Sequence, residues 1–141
     1  MTYLAAFDGT DRSETALRRA AEFAGSTDER LVVVSVLPND EDLAAEYGLV
    51  EGDTYDPGDA ARRLRKRVES ITTDAEFRTE SVDAYAGKGR IATEIREAAR
   101  DVDADVVFVG SDNAGRVVQP VTSVGGAVAS GTDYDVFIVR S

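Results

Sequence analysis

DVVFVGSDNAGRVVQPVTSVGGAV, residues 105–128, contains the succession of elements from which the fold class follows. Its first residues, Val106–Val109, form a short β-branched and aromatic run that predicts a buried strand. Gly110-Ser111 ends this strand, a small and polar loop follows, and Thr122-Ser123 leads into a helix. Such a loop can direct backbone N–H groups and hydroxyls toward an anion, and the helix adds the positive end of its dipole. The stretch therefore predicts the ligand-binding edge of an α/β fold.

Four further apolar runs predict the remaining strands. They are Tyr3–Phe7, Leu31–Leu37, Phe77–Ala86 and Val136–Val139. The run Leu31–Leu37 is almost continuous in β-branched residues, which is typical of a central parallel strand covered on both faces. The run Phe77–Ala86 alternates only weakly, and we predict that it and the last strand lie at the edges of the sheet.

Apolar residues at helical spacing predict four helices between the strands. The first begins at Asp11, which forms a capping box with Glu14, and ends at Gly25. The apolar stripes of the other three are Ala61, Leu64, Val68 and Ile71; Ile91, Ile95, Ala98 and Val102; and Val121, Val124 and Val128. This alternation predicts an α/β fold, a doubly wound five-stranded parallel sheet with helices on both faces. Ligands bind such folds at the carboxyl ends of the strands, where strands one and four carry the candidate turns.

Length and composition limit the classes of function. With 141 residues the chain is long enough for a single domain, residues 1–141, with its own core. It contains no cysteine and no histidine, which excludes disulfides, thiol catalysis and histidine bases. No apolar run approaches the ~20 residues that span a membrane, and the first residues contain no export signal, so we expect a soluble, cytoplasmic protein.

The charge of the chain is strongly acidic. A net charge of −11 disfavours nonspecific binding to nucleic acid, because the phosphate backbone would be repelled. Of the 16 basic residues only Lys66 and Lys88 are lysines. We hypothesise a halophilic protein, because high salt screens the self-repulsion of such a chain. Melting in molar salt and in dilute buffer tests this hypothesis.

Charged residues also concentrate in the middle of the chain. Residues 38–59 contain eight acids and no base, which predicts a long loop, either a solvated acidic segment or a lid. The second helix then carries five cations, Arg62, Arg63, Arg65, Lys66 and Arg67. No aromatic residue is interleaved, so we interpret this face as solvated and paired with the loop. Lys88 and Arg90, at the start of the third helix, either reach a ligand phosphate or are ordinary surface charges.

Two segments together resemble the universal stress protein family. Phe7-Asp8-Gly9-Thr10, followed by an alanine-rich helix, is similar to the family's opening strand and its Asp-Gly-Ser turn. The stretch VVFVGSDNAGRVVQPVTSVGGAV, followed by YDVFIVR, is similar to its closing strand, loop, helix and strand. The resemblance covers nearly the whole chain. It implies an adenine nucleotide alpha hydrolase-like fold and a regulatory, stress-response module.

The family's nucleotide loop is only partly matched. Nucleotide-binding members carry Gly-x-x-Gly, nine residues, and then Gly-Ser or Gly-Thr, whose glycines let the backbone close on ATP phosphates. Gly110-Ser111 matches the start of this pattern and Ser123-Val124 matches the residues after its third glycine. Asn113 stands at the second glycine and Thr122 at the third, and the loop is one residue shorter.

Three residues inside this loop change its chemistry. Asp112 introduces a carboxylate that would repel a phosphate by about 1–4 kcal/mol at a separation of ~4 Å. Arg116 offsets this charge, and Gly115 supplies backbone flexibility next to the position of the lost glycine.

The resemblance implies further site residues outside the loop. Asp8 and Thr10 match the first turn, where the family's aspartate contacts the nucleoside, and Val36 matches the position that lies against adenine. Each residue also has a purely structural interpretation, in which Asp8 braces the turn or caps the first helix and Val36 belongs to the core. Ser111 and Ser123 are then caps of a loop and a helix.

Two functions within the family follow, and one outside it is set aside. The first is a regulatory module that binds ATP, with Mg²⁺, and hydrolyses it slowly or not at all because no hydrolytic base is present. The second is a homodimeric protein-interaction module without nucleotide, paired through its last strand, Val136, Phe137, Ile138 and Val139. A phospho-receiver domain is disfavoured, because Asp8 is the only acid directly after the first strand and no lysine follows the last.

Overall fold

Five parallel strands form one sheet in the computed structural model, which describes residues 1–38, 56–82, 88–110 and 134–139. In chain order the described elements are β1 (Thr2–Ala6), α1 (Asp11–Thr27), β2 (Arg30–Pro38), α2 (Pro57–Ile71), β3 (Ala75–Val82), α3 (Lys88–Asp101), β4 (Val106–Gly110) and β5 (Asp135–Val139). The strand order is β3-β2-β1-β4-β5. This confirms the predicted α/β fold and the two predicted edge strands, β3 and β5. The predicted fourth helix lies outside the described residues.

Helices cover both faces of the sheet. Leu17 of α1 and Leu64 of α2 are buried on one face against the alternate strand residues that include Phe7 and Phe108. Ile95 of α3 is buried on the opposite face. Because successive strand residues point to opposite faces, both faces can be covered only if nearly every residue of a central strand is apolar. This is why β1 and β2 appear as continuous hydrophobic runs in the sequence.

A row of aromatic rings follows the α1 face from β1 to β5. The Phe108 ring centroid lies 5.7 Å from that of Tyr3 and 5.1 Å from that of Phe137. Phe23 of α1 contacts both Phe108 and Phe137, at 5.6 and 5.5 Å. Phe23 and Phe137 remain 40% and 39% exposed, so the row begins in the core and ends at the surface beside the edge strand β5.

The predicted N-cap of α1, Asp11, was wrong by one residue. The N-cap is Thr10, which has an extended backbone and whose side-chain oxygen accepts a hydrogen bond from the backbone N–H of Ser13. Asp11 is therefore the first helical residue and not the cap. Glu14 pairs with arginines instead of completing a capping box.

The predicted end of α1 was also wrong. The helix passes through Gly25 and continues to Thr27, and Asp28 ends it in the left-handed conformation with a φ of 55°. The backbone N–H of Asp28 donates to the carbonyl oxygen of Ala24. Aspartate tolerates this conformation better than most residues, so no glycine is required at the position.

Two further boundaries differ from the sequence predictions. Helix α2 begins at Pro57, so the last residues of the predicted acidic loop are helical. Asp56 caps the helix by accepting from Gly58 N at 3.0 Å, and proline suits the first helical position because its missing N–H is not needed there. Strand β3 begins at Ala75, two residues before its predicted start. Residues 39–55 and 83–87, which contain the rest of both predictions, lie outside the described residues.

An ion-pair cluster joins α1 to α2. Arg67 of α2 donates to Glu14 of α1 at 2.5 Å, and Arg18 donates to the same carboxylate at 2.7 Å. The hydrogen bond from Arg67, followed by that from Arg18, is the main reason that the pKa of Glu14 lies below its ordinary value. The Glu14 side chain is only 17% exposed, whereas those of Arg67 and Arg18 are more than half exposed, so water still screens the cluster.

We predict that Gly25→Ala stabilises the protein. The position is inside α1 and an added Cβ would meet no atom within 4 Å, so the substitution gains about 1 kcal/mol of helix propensity. Gly9→Ala is the contrasting variant, because Gly9 has a φ of +85° and its Cβ would lie 3.2 Å from Leu64 Cδ2. The free energy of unfolding of Gly9→Ala should be about 1–2 kcal/mol lower than that of the parent protein. Urea unfolding measures both, and a loss of stability in Gly25→Ala would contradict the helix boundary.

We predict that the pairing of Glu14 with Arg67 stabilises the protein only while the carboxyl is ionised. A lowered folded-state pKa contributes stability above the unfolded-state value, and the contribution is lost as pH falls through the folded-state value. A double-mutant cycle with Glu14→Gln and Arg67→Gln should give a favourable coupling energy at pH 7. This coupling should disappear in acid. Glu69→Gln, on the exposed face of α2, is the control and should change stability little at either pH.

Candidate functional site

A rigid turn follows β1 at the carboxyl edge of the sheet. Asp8 Oδ1 accepts hydrogen bonds from the backbone N–H of Thr10 at 3.0 Å and from its hydroxyl at 2.6 Å. Gly9 between them has a φ of +85°, a conformation that other residues rarely adopt. The half-buried carboxylate of Asp8 is thus held in a defined position at the end of the first strand.

Ser13 ties this turn to the start of α1. Its fully buried hydroxyl donates to the carbonyl oxygen of Thr10 at 3.0 Å and accepts from the backbone N–H of Asp8 at 3.2 Å. The sequence interpretation missed this residue, although Thr10-x-x-Ser13 has the spacing of a helix cap and its third helical position. The turn and the first helical turn therefore form one hydrogen-bonded unit.

The neighbouring strand β2 brings Val36 to the same edge. In the register of β1 and β2, Ala6 is opposite Val34, and the pairing continues through a hydrogen bond from Phe7 N to Val34 O at 2.9 Å. The same offset puts Val36 level with Asp8, on a strand about 4.8 Å away. Val36 is half-buried and packs against the core on the α3 face.

Strand β4 brings Gly110 to the other side of β1. Ala5 is opposite Phe108, so the same offset puts Gly110 level with Phe7, next to the Asp8 turn. Gly110 is also the last residue of β4 and pairs with Val139 of β5. The strand order reverses between β1 and β4, since β2 and β3 lie on one side of β1 and β4 and β5 on the other. Asp8, Val36 and Gly110 thus meet where parallel sheets bind ligands.

The charges at the described part of this edge favour ligand groups that donate hydrogen bonds. The positive end of the α1 dipole lies here, but Asp8 precedes the helix and Asp11 and Glu14 occupy its first turn. Asp8 and Asp11 repel a phosphate and suit sugar hydroxyls or an amino group, whereas Glu14 is paired with Arg18 and Arg67. Within the described ranges no three acidic side chains come together as a metal site.

The remaining sequence-predicted site residues cannot be compared with the structure. Seven of them lie outside the described residues: Ser111, Asn113, Gly115, Arg116, Thr122, Ser123 and Val124. Lys88 is the first residue of α3, and the structure describes neither its side chain nor that of Arg90.

None of the three described helices contains a segment long and apolar enough to cross a lipid bilayer.

Comparison with known proteins finds solved structures with a similar fold. A universal stress protein in complex with cAMP is similar to the chain, with 26% sequence identity, a TM-score of 0.59, and coverage of 99% of this chain and 96% of that one. The universal stress protein from Archaeoglobus fulgidus in complex with dAMP is 22% identical, with a TM-score of 0.59 and coverage of 98% and 96%. Universal stress protein UspA from Lactobacillus plantarum is 18% identical, with a TM-score of 0.55 and coverage of 99% and 97%. The latter two support the fold alone.

The family assignment comes from the match over the whole length of the sequence. A comparison of the sequence with curated proteins gave no match. The model of the Universal stress protein family, in contrast, matches residues 1–140. The resemblance found in the two sequence segments is confirmed, and the chain belongs to the universal stress protein family.

Proposed function

We propose that the chain is a small cytoplasmic, regulatory stress-response protein that binds an adenine nucleotide at the carboxyl ends of β1, β2 and β4. The observation that carries this proposal is the braced Asp8 carboxylate beside the reversal of strand order. The cAMP complex of the 26% identical universal stress protein supports the ligand class.

The proposed binding mode places the nucleoside over the described edge. Asp8 accepts a hydrogen bond from the ribose, Thr10 keeps the carboxylate in position, and Val36 lies against adenine. The phosphates point away from the acidic start of α1 and toward Gly110 and the residues after it. In this binding mode the phosphate-side residues are Gly110, Ser111, Asn113, Gly115, Arg116, Thr122, Ser123 and Val124. Mg²⁺ accompanies ATP through the phosphates.

The proposed role is binding rather than catalysis. The sequence contains no histidine and no cysteine, so the usual base and thiol nucleophile are missing. Asp8 accepts two hydrogen bonds from Thr10, which hold it in place as a fixed acceptor. Any ATP hydrolysis should therefore be slow.

We predict that Asp8→Ala weakens nucleotide binding at least about tenfold, because it removes a charged acceptor worth about 1.5–3 kcal/mol. Isothermal titration in molar salt, with ATP and Mg²⁺ and separately with AMP and cAMP, measures the effect. Asp74→Ala is the matched control, since this exposed aspartate precedes β3 at the opposite edge of the sheet. It should bind like the parent protein.

Two outcomes bear directly on the nucleotide proposal. Absence of heat with all three ligands at millimolar concentration contradicts nucleotide binding. Melting curves must accompany the titrations, because Asp8→Ala also removes the acceptor of two Thr10 hydrogen bonds. A folded variant that binds as tightly as the parent protein would exclude Asp8 from the site.

The alternative proposal is a homodimeric interaction module that holds no nucleotide. It is favoured by the edge strand β5, on which Phe137 and Ile138 are 39% and 43% exposed, and by the adjacent exposed ring of Phe23. Pairing of two copies through Val136–Val139 would cover this apolar surface and the strand edge.

We predict that Ile138→Glu shifts a dimer toward the monomer, since it puts a charge in the paired edge. Light scattering across a range of protein concentrations measures the mass. Thr79→Glu, on the opposite edge strand β3, is the control and should leave the mass unchanged. A parent protein that stays monomeric at high concentration would rule out the dimer.

A further inference from the structure

A groove lies between α2 and β3, at the far edge of the sheet from β4 and β5. It has a volume of about 440 Å³ and is lined by Ala61, Arg62, Arg65, Phe77, Arg78 and Thr79. Phe77 is paired with Val33 in the middle of β2, so the groove lies halfway along the strands. It is therefore separate from the carboxyl edge that carries Asp8.

Arg65 gives this groove a positioned cation. Its guanidinium carbon lies 5.5 Å from the centroid of the half-buried Phe77 ring, a cation–π contact that orients the planar group. Arg62 pairs with Asp59, and Arg78 pairs with Glu80 and Asp101. Among the residues that the structure describes, no carboxylate pairs with Arg65, so it is the arginine of the groove whose hydrogen-bond donors we assign to an added carboxylate.

The outer edge of β3 offers backbone hydrogen-bonding groups beside this cation. The strand has eight residues and pairs with β2 on one side only, and no other described strand pairs with it. Such an edge presents a row of N–H and C=O groups that can pair with an extended chain. Phe77 and Thr79 point to the groove face beside this row.

The charge of α2 determines which kind of peptide the groove would attract. Helix α2 carries five basic residues and two acidic ones, Asp59 and Glu69, in a protein whose net charge is −11. The cations therefore form a positive surface within a negative field. An acidic partner is attracted to this surface and repelled elsewhere, which directs it to the groove.

We propose that the groove and the outer edge of β3 bind an extended acidic peptide segment of a partner protein as an added strand. The segment pairs its backbone with β3, places one carboxylate on the guanidinium of Arg65, and lays an apolar side chain over Phe77 and Ala61. The backbone pairing supplies affinity that does not depend on sequence, and Arg65 selects the acidic side chain.

Fluorescence polarisation with a labelled peptide of repeated Glu-Thr-Val-Thr, which puts glutamate and valine on the same face of an added strand, tests the proposal at about 0.1 M salt, where charges are screened beyond ~10 Å. This peptide should bind at least about tenfold more tightly than one of repeated Lys-Thr-Val-Thr. The affinity of Arg65→Ala for it should fall about tenfold, as expected for the loss of a charge-assisted hydrogen bond. Lys66→Ala removes the same charge from the next position on α2, which does not line the groove, and should change binding less than twofold. Equal binding of both peptides, or equal loss in both variants, would overturn the proposal.

Hydrogen exchange locates the bound peptide. Addition of the acidic peptide should slow exchange of the amides in Ala75–Val82 and leave Asp135–Val139 unchanged. Slowed exchange only at Asp135–Val139 would overturn the proposal, because the peptide would then occupy the opposite edge. Protection of Ala75–Val82 that rises with protein concentration in the absence of peptide would also overturn it, since the occupant would be a second copy of this chain.

Discussion

The parallel pairing of β1 with both β2 and β4 is the constraint on which the rest of the structure depends. β1 is the middle strand of the sheet, and the chain must pass on one face to reach β2 and on the other to reach β4, because crossovers between parallel strands are right-handed. The helices α1 and α2 consequently cover one face and α3 the other. The first crossover leaves the carboxyl end of β1 on one face, the crossover from β3 to β4 runs on the other face, and the candidate site lies at the carboxyl ends of β1, β2 and β4.

The same residues stabilise the first crossover and shape this site. Thr10 caps α1, Ser13 bonds back to the turn, and Asp8 accepts from Thr10, so folding of the helix also orients the carboxylate. A ligand that uses Asp8 meets a group whose position was established by folding. Little conformational entropy then remains to be lost on binding. A purely structural role and a binding role for Asp8 are thus compatible with each other.

Charge is distributed unevenly over this acidic protein. Carboxylates surround the start of α1, whereas arginines are concentrated on α2, where Arg62 and Arg65 line the groove beside the edge strand β3. Arg67 and Glu14 join the two regions through an ion pair that lowers the pKa of Glu14. The carboxyl end of β1 and the outer edge of β3 therefore differ in charge, and we propose hydrogen-bond donors as ligands of the first and carboxylates as ligands of the second.

The sequence by itself determined the type and order of the eight described elements, because periodicity and β-branched runs are local properties of the chain. It also indicated the turn of Asp8 and Thr10 and the strand end at Gly110 as neighbours, since the carboxyl ends of parallel strands meet at one edge. Val36 was indicated only by the resemblance to the universal stress protein family. Helix boundaries were less predictable. Thr10 and Asp11 are both suitable N-cap residues, and the backbone conformation in the folded protein makes Thr10 the cap. Only the tertiary structure shows the hydrogen bond from Asp8 N–H to the buried Ser13 hydroxyl and the contact of Arg65 with Phe77. The physical reason is that both depend on the approach of separate elements, which local sequence patterns do not specify.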